Sequence, residues 1–291
     1  MKKELFPIDW KRADVLIQLA LEEDLADRGD TTTLSVIPSE LETDALFLAK
    51  EDLICAGLPI VERLFHALST DLKVELLVEE GQFCPKGTIM AKVRGKAQML
   101  LTGERTALNF LQRLCGIATM AAKYQQEAGD NCKILDTRKT TPGWRNLEKY
   151  AVSTGGAFNH RIGLYDRIMI KDNHRELAGL EGNGGITRSV ERARAMFPDL
   201  EVEVDSLSEL EEAVNTGAEY ILLDNMTDDQ MRQAVEFVKG RSKLEASGGI
   251  TFSRLRSAAA TGVDFISSGA LTHSVKSCDI SMDIILPGEK A

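Results

Sequence analysis

EVEVDSLSELEEAVNTG (201–217) is a short apolar strand pattern followed by an amphipathic helix pattern that closes on glycine. The same unit returns as YILLDNMTDDQMRQAVEFVKG (220–240) and KLEASGGITFSRLRSAAATG (243–262), and DFISSG (264–269) ends the series. Glu203, Asp224, Glu245 and Ile266 are spaced 21 residues apart. Strand and helix alternating at a fixed period indicate βα units and a parallel sheet. Upstream the alternation is looser. KILDT (133–137) leads into WRNLEKYAVSTGG, and RIMIKDN (167–173) leads through GLEGNGG (179–185) into TRSVERARAMF. The expectation is an α/β barrel.

The positions of the charged residues favour a barrel over an open sheet. Asp136, Arg138, Lys139, Lys171, Asp172, Glu203, Asp205, Asp224 and Glu245 all fall at carboxyl ends of these strands, where barrel active sites lie. Val202 and Val204 flank Glu203, and Leu244 and Ala246 flank Glu245. If the apolar set faces the outer helices, the acids point into the barrel mouth.

The rest of the chain reads differently. WKRADVLIQLALEEDL (10–25) is helical, DALFLAKEDLICAGLP (44–59) and LKVELLVEEGQFCPKGTIMAKVRG (72–95) are strand-like, and a long helix pattern runs from about Gln98 to Ala128 with Gly103 and Gly116 inside it. We expect an N-terminal α/β sandwich domain over 1–115, a barrel over 116–274, and a tail, 275–291, that returns to the first domain.

Bulk composition narrows the function. The 291 residues are 43% hydrophobic and 27% charged, ordinary globular values. A net charge of −10 argues against a nucleic-acid partner. No apolar run has the roughly 20 residues that span a bilayer, and MKKELFPIDW lacks the core of a signal peptide; a soluble cytoplasmic protein is expected. The five cysteines show no C-x-x-C spacing and read as free thiols. The charge is uneven, however. From Lys133 to Arg175, nine Lys/Arg stand against four Asp/Glu. This is either a solvated basic face or a pocket for an anionic small molecule.

The candidate site residues follow. ASGGI (246–250) and SSGAL (267–271) end the last two strands, where barrels frequently hold a phosphate. Ser247, Gly248, Gly249, Ser268 and Gly269 are its candidate ligands. Arg138, Lys139, Arg161 and Lys171, with His160 beside them, exceed what one phosphate needs and suit a second anion with carboxylates, or a pyrophosphate. Glu203 and Asp224 have two readings: oxygen ligands for Mg²⁺, or carboxylates that stabilise a cation developing on substrate.

GERTALNFLQRLCGIAT (103–119), LDTRKTTPGWRNLEKYAV (135–152), GGAFNHRIGLYDRIMIKDNH (155–174), EVEVD, LLDN, LEASGGI and SGALTHS together resemble the quinolinate phosphoribosyltransferase family. Two positions depart from the family pattern: Trp144 replaces a smaller aliphatic, and Ala157 a third glycine. The resemblance implies an incomplete, seven-stranded α/β barrel with an N-terminal α/β sandwich domain. The enzyme would be a decarboxylating pentosyltransferase of NAD biosynthesis, making nicotinate mononucleotide, pyrophosphate and CO₂ from quinolinate and 5-phosphoribosyl 1-diphosphate with Mg²⁺. It implies a homodimer, in some members a hexamer. Arg138, His160, Arg161 and Lys171 would form the quinolinate site, joined by Arg105 from the neighbouring subunit. Lys139 would contact the phosphoribosyl diphosphate, Glu203 and Asp224 would serve ribose and Mg²⁺ directly or through water, and the Ser/Gly loops would cradle the 5-phosphate. Lys139, Lys171, Glu203 and Asp224 would be the catalytic set. The rival readings are a Schiff-base barrel enzyme with Lys139 or Lys171 as nucleophile, a relative of the same fold with another substrate, and a non-catalytic binding protein.

Overall fold

A computed structural model describes residues 5–197 and 199–286. The chain forms two compact units. The first takes residues up to Ala122, Thr140–Gly156 and those from Leu271 onward; the second takes Lys123–Lys139 and Ala157–Ala270. The first elements in chain order are α1 (Trp10–Leu25), α2 (Thr31–Val36), β1 (Glu42–Ala49), β2 (Leu53–Ile54), α3 (Leu58–Leu68) and β3 (Lys73–Leu76). Then come β4 (Phe83–Cys84), β5 (Ile89–Lys96), the long α4 (Ala97–Ala128), β6 (Lys133–Leu135), α5 (Arg145–Thr154) and β7 (Ile168–Ile170). After them follow α6 (Asp172–Leu177), α7 (Gly185–Arg194), β8 (Leu200–Val204), α8 (Leu207–Asn215), β9 (Tyr220–Asp224) and α9 (Asp228–Val238). The last are β10 (Lys243–Ser247), a 3-10 turn running into α10 (Leu255–Ala259), β11 (Phe265–Ser267), α11 (Ala270–His273) and β12 (Ile280–Ile285).

In the first unit, β12, β1, β5 and β3 form an antiparallel sheet in that order. β1 alternates, with Ala45, Phe47 and Ala49 fully buried. Their face meets α3, whose Leu58, Ile60, Val61, Leu64 and Phe65 are buried; the Phe47 and Phe65 rings pack edge to face at 6.1 Å. Each such large side chain contributes roughly 1.5–3 kcal/mol. α3 begins inside the stretch that reads as strand from sequence, because its apolar residues repeat at helical spacing only after Gly57 and Pro59. The glycines within α4 mark close approaches. A Cβ on Gly103 would lie 2.8 Å from Phe65 Cε1, and one on Gly116 would lie 2.4 Å from the Lys276 carbonyl. Each glycine costs about 1 kcal/mol of helix propensity and lets another element approach. In this unit β12 pairs with β1; residues 287–291 lie outside the described residues. Trp144 stacks on Phe110 at 4.7 Å, a larger ring accommodated by an aromatic neighbour. All five cysteines are free and buried.

The second unit is built on a parallel sheet of six strands, ordered β6-β11-β10-β9-β8-β7. This is an incomplete barrel. The seventh place beside β6 is held only by an isolated bridge between Leu135 and Phe158. The βα units have the start signals their sequences suggest: Ser206 caps α8 by accepting from Glu209 N–H, and Thr227 with Gln230 forms a capping box on α9. Val202, Val204, Ile221, Leu223, Leu244, Ala246 and Ile266 are fully buried. They alternate with Glu201, Glu203, Leu222, Asp224, Glu245, Ser247 and Ser267 on the other face. The 21-residue period does not put its members at one level. Glu203 and Glu245 both pair with Leu222, whereas Asp224 pairs with Ser247, one layer nearer the strand ends, and Ile266 is on the opposite face.

Candidate active site

A cavity of about 340 Å³ opens within the second unit, lined by Arg138, Lys139, His160, Arg161, Lys171 and Glu245 together with Thr137, Met169, Leu222, Ser247 and Ser267. Strand ends and the loops after them deliver the charges. Arg138 and Lys139 follow β6; His160 and Arg161 follow the Phe158 bridge; Lys171 follows β7. Residues distant in sequence therefore place two arginines and two lysines around one space, and a net-acidic chain has a locally basic cavity. Arg161 shows the strain of this arrangement: burial and then the adjacent Arg138 charge lower its pKa. Its guanidinium donates to the Arg167 carbonyl at 3.0 Å. An incoming anion would relieve both pressures.

Carboxylates balance these cations. Lys171 Nζ is ion-paired with Glu203 Oε2. Glu201 and Glu245 are almost completely buried, and His160 Nε2 lies 3.2 and 3.3 Å from their Oε2 atoms. Burial opposes a charged His160, but the two glutamates outweigh it and lift the ring up to about 9. His160 Nδ1 also accepts the Arg161 backbone N–H at 2.7 Å. Protonating the ring gives up that bond, yet two carboxylates within 3.3 Å outweigh one amide dipole, and the upward direction stands. Burial likewise raises the Glu245 carboxyl, which His160 opposes and the Glu201 charge reinforces. The ligand atoms of His160, Glu201 and Glu245 all lie within 4.8 Å of one another, so a cluster able to coordinate a divalent ion is present.

The other expected residues are placed as follows. Asp224 is half-buried at the end of β9, and Asn225 donates its side-chain amide to Oδ2 at 2.7 Å. Gly248 (φ +81°) passes under this pair: a Cβ there would lie 2.3 Å from Asn225 Oδ1 and 2.9 Å from Asp224 Oδ1. Gly249 (φ +61°) continues the turn. Ser268 is buried and donates its N–H to the Leu135 carbonyl at 3.0 Å, so that amide serves the sheet. Glu203, Asp224, Gly248, Gly249, Ser268 and Gly269 are not among the residues lining the cavity, although Ser247 and Lys171 on either side are. Arg105 is exposed on α4 of the first unit.

Glu201 and Asn225 carry no role in the sequence analysis. Glu201 lies on the same face of one strand as Glu203; the alternation that points to Glu203 implicates Glu201 equally. Asn225 has φ +54°, a left-handed conformation that asparagine tolerates better than most residues. Its place directly after a strand-end acid is the available signal.

Comparisons with known proteins identify the family. Residues 30–115 match the model of the quinolinate phosphoribosyl transferase N-terminal domain, and residues 117–283 match that of the C-terminal domain. The chain is 42% identical over 286 residues to the chloroplastic, carboxylating-named nicotinate-nucleotide pyrophosphorylase of Oryza sativa subsp. japonica, covering 92% of this chain and 76% of that protein. Among solved structures, the nicotinate-nucleotide pyrophosphorylase of Francisella tularensis superposes with a TM-score of 0.91 at 34% identity, covering 98% of this chain and 100% of the other. NadC from Streptococcus pyogenes superposes with a TM-score of 0.89 at 39% identity, covering 95% and 97%. With both domain models matched in order along one chain, this protein belongs to the quinolinate phosphoribosyl transferase family.

Proposed function

We propose that the protein transfers the phosphoribosyl group of 5-phosphoribosyl 1-diphosphate to quinolinate with decarboxylation, releasing nicotinate mononucleotide, pyrophosphate and CO₂. The observation that carries this reading is the convergence of Arg138, Lys139, Arg161 and Lys171 on one cavity of about 340 Å³ that has Glu245 on its wall, with Glu203 ion-paired to the lining Lys171. A dicarboxylate needs the cations, and a cationic transition state needs the acids.

Arg138, Arg161 and Lys171 hold the two carboxylates so that the ring nitrogen faces the sugar carbon. His160 contributes by orienting Arg161, since both its ring nitrogens face protein groups. As the diphosphate departs, positive charge grows on the sugar, and Glu203 and Asp224 stabilise it. Lys139, exposed at the rim, takes the charge of the leaving group. Ser247, Gly248, Gly249, Ser268 and Gly269 cradle the 5-phosphate through backbone amides and hydroxyls, Ser268 through its hydroxyl. Once the ring nitrogen is bonded to the sugar it is cationic and stabilises the electron pair left on the adjacent ring carbon as CO₂ leaves; that carbon then takes up a proton from solvent to give nicotinate mononucleotide.

Mg²⁺ suits the oxygen donors of Glu203 and Asp224, which lie on adjacent strands. They would hold it directly or through water, and when bound it neutralises charge on the leaving diphosphate. The imidazole of His160 makes the deeper cluster a poorer choice for this hard cation, and its Nε2 proton would have to be displaced first. We assign the barrel to 116–274 and the sandwich to 1–115 with the tail. The active form is a homodimer in which Arg105 of one subunit reaches the site of the other, and the compartment is cytoplasmic. No helix among the described residues is long and apolar enough to cross a membrane.

The Schiff-base alternative is disfavoured by the ion pair of Lys171, which engages the nitrogen whose lone pair that chemistry requires. The test is a purified assay for CO₂ and nicotinate mononucleotide from quinolinate, phosphoribosyl diphosphate and Mg²⁺, with nicotinate as the competing substrate. Turnover of quinolinate is expected; turnover of nicotinate alone overturns the reading.

A further inference from the structure

β6 ends at Leu135, and the next residue, Asp136, is fully buried. An ionised carboxylate survives such burial only when hydrogen bonds replace its water. Both oxygens of Asp136 bond the same segment. Oδ1 accepts the His160 backbone N–H at 2.8 Å, and Oδ2 accepts the Asn159 side-chain amide at 2.6 Å. Backbone bonds run alongside: Phe158 N–H donates to the Ile134 carbonyl at 2.8 Å, and Asp136 N–H donates to the Phe158 carbonyl at 3.0 Å. The carboxylate thus extends a very short parallel pairing by two further bonds, past the point where the regular ladder stops.

What it joins gives the contact its meaning. Two residues beyond Asp136 stands Arg138, and directly after the fastened His160 stands Arg161. Both line the cavity, and the Arg138 charge presses on Arg161. Like charges on two loops drive the loops apart unless something holds them. We propose that Asp136 is a positioning residue of the dicarboxylate site, fixing the separation between the Arg138 and Arg161 guanidinium groups. This rests on the reading of quinolinate as substrate. A ligand with two carboxylates at a fixed spacing depends on that separation; a monocarboxylate gripped by one guanidinium does not. Asp136 is not among the residues lining the cavity. It acts through the loops it ties.

A compensating exchange distinguishes positioning from mere support. Asp136→Ala removes both bonds. Asn159→Asp sets two carboxylates face to face. In the double variant Asp136→Asn with Asn159→Asp, the new amide oxygen at 136 still accepts from His160, and its NH₂ donates to the new carboxylate at 159. Both bonds return, one with its direction reversed. Steady-state kinetics with quinolinate and phosphoribosyl diphosphate, together with melting temperatures, provide the test. KM for quinolinate should rise on the order of 10²-fold in the alanine variant, as expected for misplacement near 1 Å. It should rise similarly in Asn159→Asp and recover most of the way in the exchange variant, while KM for phosphoribosyl diphosphate, which Lys139 on the same loop also serves, changes much less. The inference is overturned if folded Asp136→Ala keeps its quinolinate KM. Should the alanine variant fail to fold, an exchange variant no better than Asn159→Asp overturns it equally. Wild-type protein that does not turn over quinolinate overturns the reading of the reaction itself, and this inference with it.

Discussion

Lys171, which follows β7, is ion-paired with Glu203, near the end of β8. The two strands are hydrogen-bonded neighbours, so the sheet itself holds the cation proposed for the substrate against the acid proposed for the transition state. The Glu203 side chain is 14% exposed and that of Lys171 39%; the pair is partly shielded and stronger than a surface bridge.

Glu203→Ala is therefore expected to lower kcat on the order of 10²–10³-fold, the usual cost of one preorganised charge at a transition state. Quinolinate affinity should change less. Steady-state kinetics decide; a loss of only a few-fold counts against a catalytic role.

Arg161→Ala should weaken quinolinate by about 1.5–3 kcal/mol, the range for a hydrogen bond to a charged group, and leave phosphoribosyl diphosphate binding largely intact. Titration calorimetry with each ligand separately provides the comparison. Equal loss of both would argue that Arg161 supports the fold rather than the dicarboxylate.

Arg105 and Lys171 lie in different units of the chain. If Arg105 serves the neighbouring subunit's site, inactive Arg105→Ala and inactive Lys171→Ala proteins should regain activity when mixed, because a mixed dimer holds one intact site. No recovery after verified subunit exchange removes the shared-site assignment.

Gly248→Ala puts a side chain on a backbone at φ +81° and against Asp224 and Asn225. Strain of about 1–3 kcal/mol is expected, visible as a lowered Tm, with a raised KM for phosphoribosyl diphosphate. Gly249→Ala, whose Cβ would meet Asn225 Oδ1 only at 4.0 Å, should disturb Asp224 less. Equal KM effects from both would point to backbone strain alone.

His160 gives a pH dependence of stability. Its folded pKa is raised to about 9 from 6.5, its burial opposed and exceeded by Glu201 and Glu245. A raised folded value means the contribution is complete below about pH 6.5 and fades as pH climbs through about 9, with a size on the order of 3 kcal/mol. Melting temperatures from pH 6 to 10 should fall more steeply for wild type than for His160→Gln. Parallel curves would show that the ring does not carry this charge.

Much of this protein is written locally. α1 follows from apolar residues at helical spacing, the βα units from strand–helix alternation with caps at Ser206 and Thr227, and the inward direction of Glu203 and Glu245 from the alternation of a strand. These features depend on neighbours within a few residues, so the amino-acid order alone determines them. The long motifs around Arg138, Arg161 and Lys171 likewise identify the family from the chain itself. Levels and partners are different. That Glu203 stands beside Leu222 while Asp224 stands beside Ser247 depends on how strands slide into register. The burial of Glu201 beneath His160, and of Asp136 between two loops, appears only when segments more than 20 residues apart meet. Hydrogen bonding and desolvation act through space, whatever the separation along the chain. For that reason the amino-acid order determined the family and the set of candidate side chains, and the tertiary structure decided which of them touch.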